Sequence, residues 1–425
     1  MVSDWHTRRL SEVADVTDYV ANGSFESLRN NVTYRNEPDY GILVRLVDYN
    51  NGWKGDFVYV DKASFDFLRK SSLVPGDIVV SNVGAHTGTV FQVPDLGKPM
   101  TLGPNAVLCR PKSEDIVLRR FLYCYLISQE GQAAIRSILS GSAQPKFNKT
   151  DFRALSIPLP SLPEQRAIAH ILGTLDDKIE LNRQMNQTLE AMAQALFKSW
   201  FVDFEPFRDQ GMQDSPLGEI PVGWRVGKLE EIAVLHRESI NPSNYPDEVF
   251  DHYSIPAFDE GRMPRAETSD KIRSNKFRIP NGAVLISKLN PRFPRVWLPL
   301  DIEHRRPICS TEFLIVTPRG DSGREYYYSL FCSDRFLSTF STLVTGTSSS
   351  HQRVRPGDLM SIDLVIPPEK VISSFSDKVR PLLTLVNHNL AENGILASIR
   401  DALLPKLLSD EIRVKDAEKL LREAV

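Results

Sequence analysis

Two strings in this chain come near the Asn-Pro-Pro-aromatic loop with which adenine methyltransferases hold a flipped base. They are Asn290-Pro291-Arg292-Phe293 and Asn241-Pro242-Ser243-Asn244-Tyr245. Neither follows a glycine-rich strand suited to S-adenosylmethionine, and turn chemistry explains an Asn-Pro pair better. No Gly-x-x-x-x-Gly-Lys-Ser/Thr string occurs, so the phosphate cradle of a motor ATPase is missing. Pro94-Asp95 with Asp176 and Lys178 has the letters of a nuclease carboxylate-lysine set, but its second part falls inside a helical pattern. His86, His304 and His351 have no nucleophile or metal-ligand spacing around them. Cys109, Cys124, Cys309 and Cys332 form no Cys-x-x-Cys pair and lack a nearby histidine, which disfavours zinc and disulfides alike and reads as reduced thiols. These residues point to binding rather than catalysis.

A polyanion would have to be met by local charge, because the formal net charge is -3 and the pI is near 6.3. Between Arg262 and Arg306 eleven basic side chains stand against four acidic ones, an excess of seven. That stretch suits phosphate, and it equally suits an ordinary solvated surface. With 425 residues, two or three domains are expected; 41% hydrophobic and 25% charged residues are the proportions of an ordinary globular protein. No apolar run approaches the roughly 18 residues of a membrane span, and the opening MVSDWHTRRL has no hydrophobic stretch, so no membrane partner and a cytoplasmic location are expected.

The elements that must position any binding residue are written twice, at a period of 205 to 207 residues. Pro75-Gly76-Asp77 followed by Ile78 to Ser81 matches Pro280 to Ser287 with one extra residue in the second copy, a turn feeding a strand. Asn105 to Pro111 matches Glu312 to Pro318, and the aromatic cluster Phe121 to Tyr125 matches Tyr326 to Leu330. Gly141 to Gln144 and Gly346 to Ser349 open polar loops, and Trp5 with Leu10 has its counterpart in Trp224 with Leu229. Under this alignment Asn290 takes the place of Gly84 in a strand-to-strand loop.

Each copy ends in a long heptad pattern. In the first, Ile168, Leu175, Leu189 and Leu196 lie on one seam with Leu172, Ile179, Ala193 and Trp200. In the second the places fall to Phe375, Leu382, Leu396 and Leu403, with Ile372, Val379, Val386 and Leu407 alongside. Asn182 and Asn186 interrupt the first seam, and Asn389 and Asn393 interrupt the second at the matching offset. A buried asparagine sets register when its partner offers complementary groups, so the helices are expected to pair antiparallel with these asparagines opposed. The other arrangement has each seam packed on its own globular unit. Pro381 and Pro405 predict a bend or a frayed start in the second helix.

Three stretches carry a family resemblance: Gly141 to Lys149, Ile157-Pro-Leu-Pro-Ser-Leu-Pro-Glu-Gln165, and Leu196-Phe-Lys-Ser-Trp-Phe-Val-Asp-Phe204. Together with Arg400-Asp-Ala-Leu-Leu-Pro-Lys-Leu-Leu-Ser409, they resemble the specificity subunits of type I restriction-modification systems over the whole chain. The second copy departs from the pattern at Pro-Pro-Glu-Lys370. The resemblance implies an α/β (α+β) fold of two tandem target-recognition domains, each followed by a long helix, the helices pairing antiparallel with pseudo-two-fold symmetry. The boundaries it implies are 1–160, 161–205, 206–367 and 368–425. It also implies that the chain is not catalytic and binds double-stranded DNA at a split target. Its further partners would be two methyltransferase subunits and motor-nuclease subunits, which use the S-adenosylmethionine, ATP and magnesium.

Recognition residues do not transfer between members of such a family, so the candidates rest on residue type. The loop Ser142 to Lys149 offers Ser142, Gln144, Lys146, Asn148 and Lys149, and the loop Ser348 to Arg355 offers Ser349, His351, Gln352, Arg353 and Arg355. Next come the loops Val83 to Thr89, with His86 and Thr87, and Lys288 to Arg295, with Lys288, Arg292 and Arg295. Gln and Asn suit adenine edges and Arg suits guanine or phosphate; ordinary surface loops have the same composition. Two other functions remain open, a repeat-built adaptor joining proteins through its coiled coil and a lone methyltransferase.

Overall fold

Short β-branched runs bounded by proline and glycine turns build the same sheet in each half. The computed structural model describes residues 5–141, 144–299, 305–320, 323–345 and 352–408, together with residue 414. In the first half the order is Ala14–Asp18, Ala106–Pro111, Ile78–Ser81, Val90–Gln92; in the second it is Ala233–His236, Phe313–Pro318, Val284–Ser287, Val296–Trp297. All neighbours in both sheets are antiparallel. The central strands are buried on both faces, as their unbroken apolar runs require.

A five-stranded sheet accompanies each of these. Both contain a parallel pair, Gly41–Val44 with Met100–Leu102 and Val249–Tyr253 with Arg306–Cys309. They differ at one strand: Tyr34–Arg35 adds beside Val58–Val60, whereas Ser239–Ile240 adds beside Lys276–Arg278, at the opposite edge under the repeat. In both halves the opening strand pairs antiparallel with the strand that leads into the long helix, His6–Arg9 with Ser156–Leu159 and Arg225–Lys228 with Asp363–Ile366.

The long helices are α1, Leu162–Phe201, and α2, Glu369–Leu408. Gln165 explains the Pro-x-x-Glu-Gln pattern at the start of α1. Its buried amide accepts from the Leu118 N–H at 3.0 Å and donates to the carbonyls of Pro160 at 3.0 Å and Ile116 at 3.2 Å, which pins the helix entry. Lys370, its counterpart, is exposed and has no such duty. α2 runs unbroken through Pro381 and Pro405, and its first turn lies twelve residues before Pro381, so the expected frayed start is absent. A missing N–H at Pro381 costs about 3 kcal/mol. The burial of Phe375, Val379, Leu383 and Val386 on both sides of it offsets that cost.

The chain divides into two units, residues 1–177 with 396–425 and residues 178–395. Each therefore holds a segment of both helices, and in each the segments run antiparallel. In the first unit Ile168, Leu172, Leu403, Leu404 and Leu407 share one core with Phe121 and Phe152. Arg120 is 3.3 Å from both Asp176 and Asp177 on α1, and Arg400 on α2 is 3.0 Å from Asp176. In the second unit the corresponding anchor has opposite charges, with Arg380 on α2 3.2 Å from Glu325. The family motif ending at Phe204 closes an aromatic cluster there, with Phe201, Phe204 and Phe207 around Trp224 at centroid distances of 5.9, 5.5 and 5.0 Å.

The seam differs from the sequence expectation at one end of α1. Leu189, Leu196 and Trp200 are half-buried, while Phe197 and Phe201 take the buried stripe after Ala193. An α-helix of 3.6 residues per turn drifts against a strict heptad, and here the drift turns the aromatic face onto the unit's own core.

The asparagines occupy seam positions. Asn182 donates to Asn393 at 2.9 Å and to Glu392 at 2.7 Å. Asn389 donates to Asn186 at 2.8 Å, and Asn186 donates to the Val386 carbonyl at 3.3 Å. Lys178 lies 3.2 Å from Glu392 beside them. Replacing Asn186 alone with alanine strips the buried Asn389 amide of its acceptor and is expected to cost about 1–3 kcal/mol. The double replacement Asn186→Leu with Asn389→Leu should recover or exceed the parent stability, at the expense of register. Calorimetric Tm values check this; a double variant no more stable than the single one overturns the pairing argument.

Candidate nucleic-acid interface

The candidate loops lie far apart in sequence, and the fold joins them in pairs. In the first unit Val83 and Lys146 form a β-bridge, the Gly84 N–H donates to the Pro145 carbonyl at 2.9 Å, and the Phe147 N–H donates to the Asn82 carbonyl at 3.1 Å. In the second unit Leu289 and Arg353 form the bridge. There the Asn290 N–H donates to the Gln352 carbonyl at 2.9 Å and the Val354 N–H donates to the Lys288 carbonyl at 3.0 Å. These are the same contacts at the repeat offset. Gly84 and Asn290 both have left-handed backbone, at φ 105 and φ 48, a conformation Gly and Asn adopt most easily. The Asn-Pro-Arg-Phe string is thus a turn, closed by the Phe293 N–H on the Asn290 carbonyl at 2.9 Å.

The same backbone frame carries different side chains. The first pair presents exposed His86, Gln144 and Lys146. Thr87 is half-buried, its hydroxyl within 2.6 Å of the Gly84 carbonyl and 2.8 Å of that of Pro145, so it ties the two loops together. Asn148 uses its amide to cap the helix Lys149–Ala154, accepting from the Asp151 N–H at 2.8 Å, and Lys149 is held 2.8 Å from Asp18. In the second pair Arg292 is exposed with its guanidinium 5.0 Å from the Phe293 ring centroid, and Phe293 is itself 55% exposed. Arg355 is exposed, and Lys288 and Gln352 are half-buried. Arg353 forms a two-pronged pair with Glu312, at 3.0 and 3.2 Å, and Arg295 does the same with Asp259, at 2.7 and 2.9 Å. Ser142, Ser349 and His351 lie outside the described residues.

The basic stretch from Arg262 to Arg306 therefore supplies less free charge than its composition promises. Arg262 pairs with Glu190, Arg265 with Glu260, Arg278 with Glu238, Arg295 with Asp259, Arg305 with Asp251 and Arg306 with Glu248. Lys276 is buried. Among the described residues, Lys146, Arg292 and Arg355 stand exposed at the loop pairs with no carboxylate partner. Linear sequence counts charges without showing which acids the fold brings beside them. The Phe293 platform was equally invisible, since its exposure depends on the turn.

No other chemistry assembles among the described residues. Burial pushes the Cys109, Cys124 and Cys332 thiols up to about 12, far from thiolate reactivity. Asp176 is engaged by two arginines, and Asp95 accepts from the Gly97 N–H in a turn. Among the described residues no three His, Cys, Asp or Glu side chains are grouped to hold a metal, and no helix is long and apolar enough to cross a membrane.

Two globular units each display one pair of polar loops on the same backbone frame. Residues 2–191 match the type I restriction modification DNA specificity domain. The chain is 26% identical to the type I restriction enzyme MjaIX specificity subunit of Methanocaldococcus jannaschii, over 97% of this chain and 94% of that one. It is also 26% identical to the type I restriction enzyme HindI specificity subunit of Haemophilus influenzae, over 81% and 88%. In fold it is similar to the crystal structure of the type I restriction-modification system S subunit from M. genitalium, at 16% identity and a TM-score of 0.55 over 96% and 97% of the two chains. The chain is thus similar over most of its length to type I restriction-modification DNA specificity subunits.

Proposed function

We propose that each unit reads one half of a split double-stranded DNA target through its loop pair, and that the helices set the spacing between the halves. Two methyltransferase subunits dock on the helices and units, and motor-nuclease subunits join that assembly. The observation that carries this reading is the loop pair itself, made twice by the same backbone contacts and furnished with different side chains, as two unlike half-sites require. A protein partner is supported by apolar side chains left on the helices of the second unit: Leu181 at 52%, Met192 at 49% and Ile395 at 58% exposure. The adaptor reading accounts for that surface but not for the free cations at the loops.

The chain acts without chemistry of its own, and S-adenosylmethionine, ATP and magnesium are used by its partners. The purified chain, given DNA with labelled S-adenosylmethionine or ATP, is expected to transfer no methyl group and hydrolyse no nucleotide; turnover would overturn the non-catalytic reading. The reading as a whole is tested by methylation-sensitive sequencing of the host genome. A two-part motif with a fixed spacer, lost when this gene is deleted, is the expected result, and a continuous motif or unchanged methylation overturns it.

A further inference from the structure

The first unit contains a segment that the second lacks. Residues 19–40 separate Ala14–Asp18 from Gly41–Val44 and include the helix Phe25–Asn31, whereas the shorter stretch 237–248 separates the corresponding strands Ala233–His236 and Val249–Tyr253 and holds no α-helix. Asp18 caps the first turn of the longer stretch by accepting from the Ala21 N–H at 2.9 Å, and Ser24 caps the helix Phe25–Asn31. Buried Leu28 anchors that helix, yet Phe25 is 76% exposed and Arg29, one turn on, is exposed with no carboxylate partner among the described residues. Tyr34 is 52% exposed, its hydroxyl 2.9 Å from that of Tyr19.

Phe25, Leu28, Arg29 and Tyr34 line a cleft of about 600 Å³ together with Asn82, Val83, Pro104 and Asn105. That volume lies within the range of about 300–1,000 Å³ usual for small-ligand sites. Val83 bridges to Lys146 and the Asn82 carbonyl accepts from the Phe147 N–H, so the cleft opens directly beside the first loop pair. Asn105 is exposed in left-handed backbone, and the Asn82 side-chain oxygen is buried without a hydrogen-bond partner. Aromatic faces, amides and a free guanidinium are the groups that recognise an unstacked base: they stack on it, bond its edge and hold its phosphate. A concave aromatic cleft cannot admit a stacked base pair, whose edges are read by protruding loops in a groove.

We propose that this cleft receives one nucleobase displaced from the duplex beside the half-site read by the first unit. Phe25 and Tyr34 supply the stacking faces, and Asn82 and Asn105 bond the base edge. The inference rests on the DNA-recognition reading above, and the two fail differently.

The test uses the full chain and duplexes of its own target, in which each position in turn carries a mismatch or a 2-aminopurine. A mismatch removes the work of unpairing, so at one position flanking the first half-site it should tighten binding about tenfold. At the same position 2-aminopurine should brighten on binding. Phe25→Ala, exposed and harmless to the core, should abolish both effects, and Asn105→Gly, which keeps the left-handed turn, should weaken them. Binding with no such position, or a Phe25→Ala variant that weakens every duplex equally, overturns the cleft and leaves a groove contact. Failure of the chain to bind its target duplex at all overturns the DNA reading, and this inference with it.

Discussion

Adding four residues to α1 after Gln187, with four more at the facing point of α2 after Leu385, is expected to change the spacer of the methylated motif while leaving both half-sites as they were. Four residues lengthen a helix by about 6 Å and rotate the segment beyond them by about 40°. The rise approaches two base pairs, and the turn is close to the twist of one, so a spacer longer by one or two pairs fits both. The bonding of the asparagine rung sets the insertion point: Asn186 is bonded to Asn389 and to the Val386 carbonyl, so chain added just beyond this rung leaves it intact. Extending both helices keeps the core at Phe197, Phe201 and Phe375 packed as before. Four residues in a heptad seam unwind it locally without breaking it. Methylome sequencing of cells carrying the variant shows the outcome directly. Native sites should lose methylation almost completely, and changed half-sites, or an unchanged spacer in an active complex, would show that the helices are not the ruler.

A second large effect is expected at the loop pairs. Replacing Lys146, Arg292 and Arg355 together with glutamine removes three exposed cations that have no carboxylate partner among the described residues. If each meets a phosphate, the slope of log K against log salt should shrink by about 0.9 per contact, and affinity near 0.1 M salt should fall on the order of a hundredfold or more. Arg295→Gln is the internal control. Its guanidinium is already held by Asp259 at 2.7 and 2.9 Å, so the salt slope should stay unchanged. Titrations at several salt concentrations decide the matter: a triple variant with the parental slope places the DNA surface elsewhere, as does a shallower slope in Arg295→Gln alone.

The repeat, the strands and the two long helices were legible in the sequence because their signals are local. Apolar runs such as Ile78 to Ser81 and Val284 to Ser287, ended by turns, can only be strands, and leucines at seven-residue spacing over four turns and more can only be a helical seam. Matched asparagines at an offset of 207 were enough to expect Asn182 and Asn186 to face Asn389 and Asn393, since a buried amide needs a partner that can bond it, and the fold decided the rungs, Asn182 with Asn393 and Asn186 with Asn389. The loops were also recognisable as pairs of polar segments, one pair in each copy. Which of their side chains are free was decided only by tertiary structure. Lys149, Arg295 and Arg353 look like phosphate ligands in the sequence, but Asp18, Asp259 and Glu312, distant along the chain, arrive beside them in the fold. The same holds for helix α2, where Pro381 predicts a bend or a frayed start and the helix runs continuously through it with core residues on both sides. Local propensity is a matter of tenths to a few kcal/mol per residue, and burial or a paired charge contributed from elsewhere in the chain can outweigh it. The cleft beside the first loop pair belongs to this second kind of information. Phe25, Tyr34 and Asn105 lie 80 residues apart at their extremes, and nothing in their spacing announces that they meet.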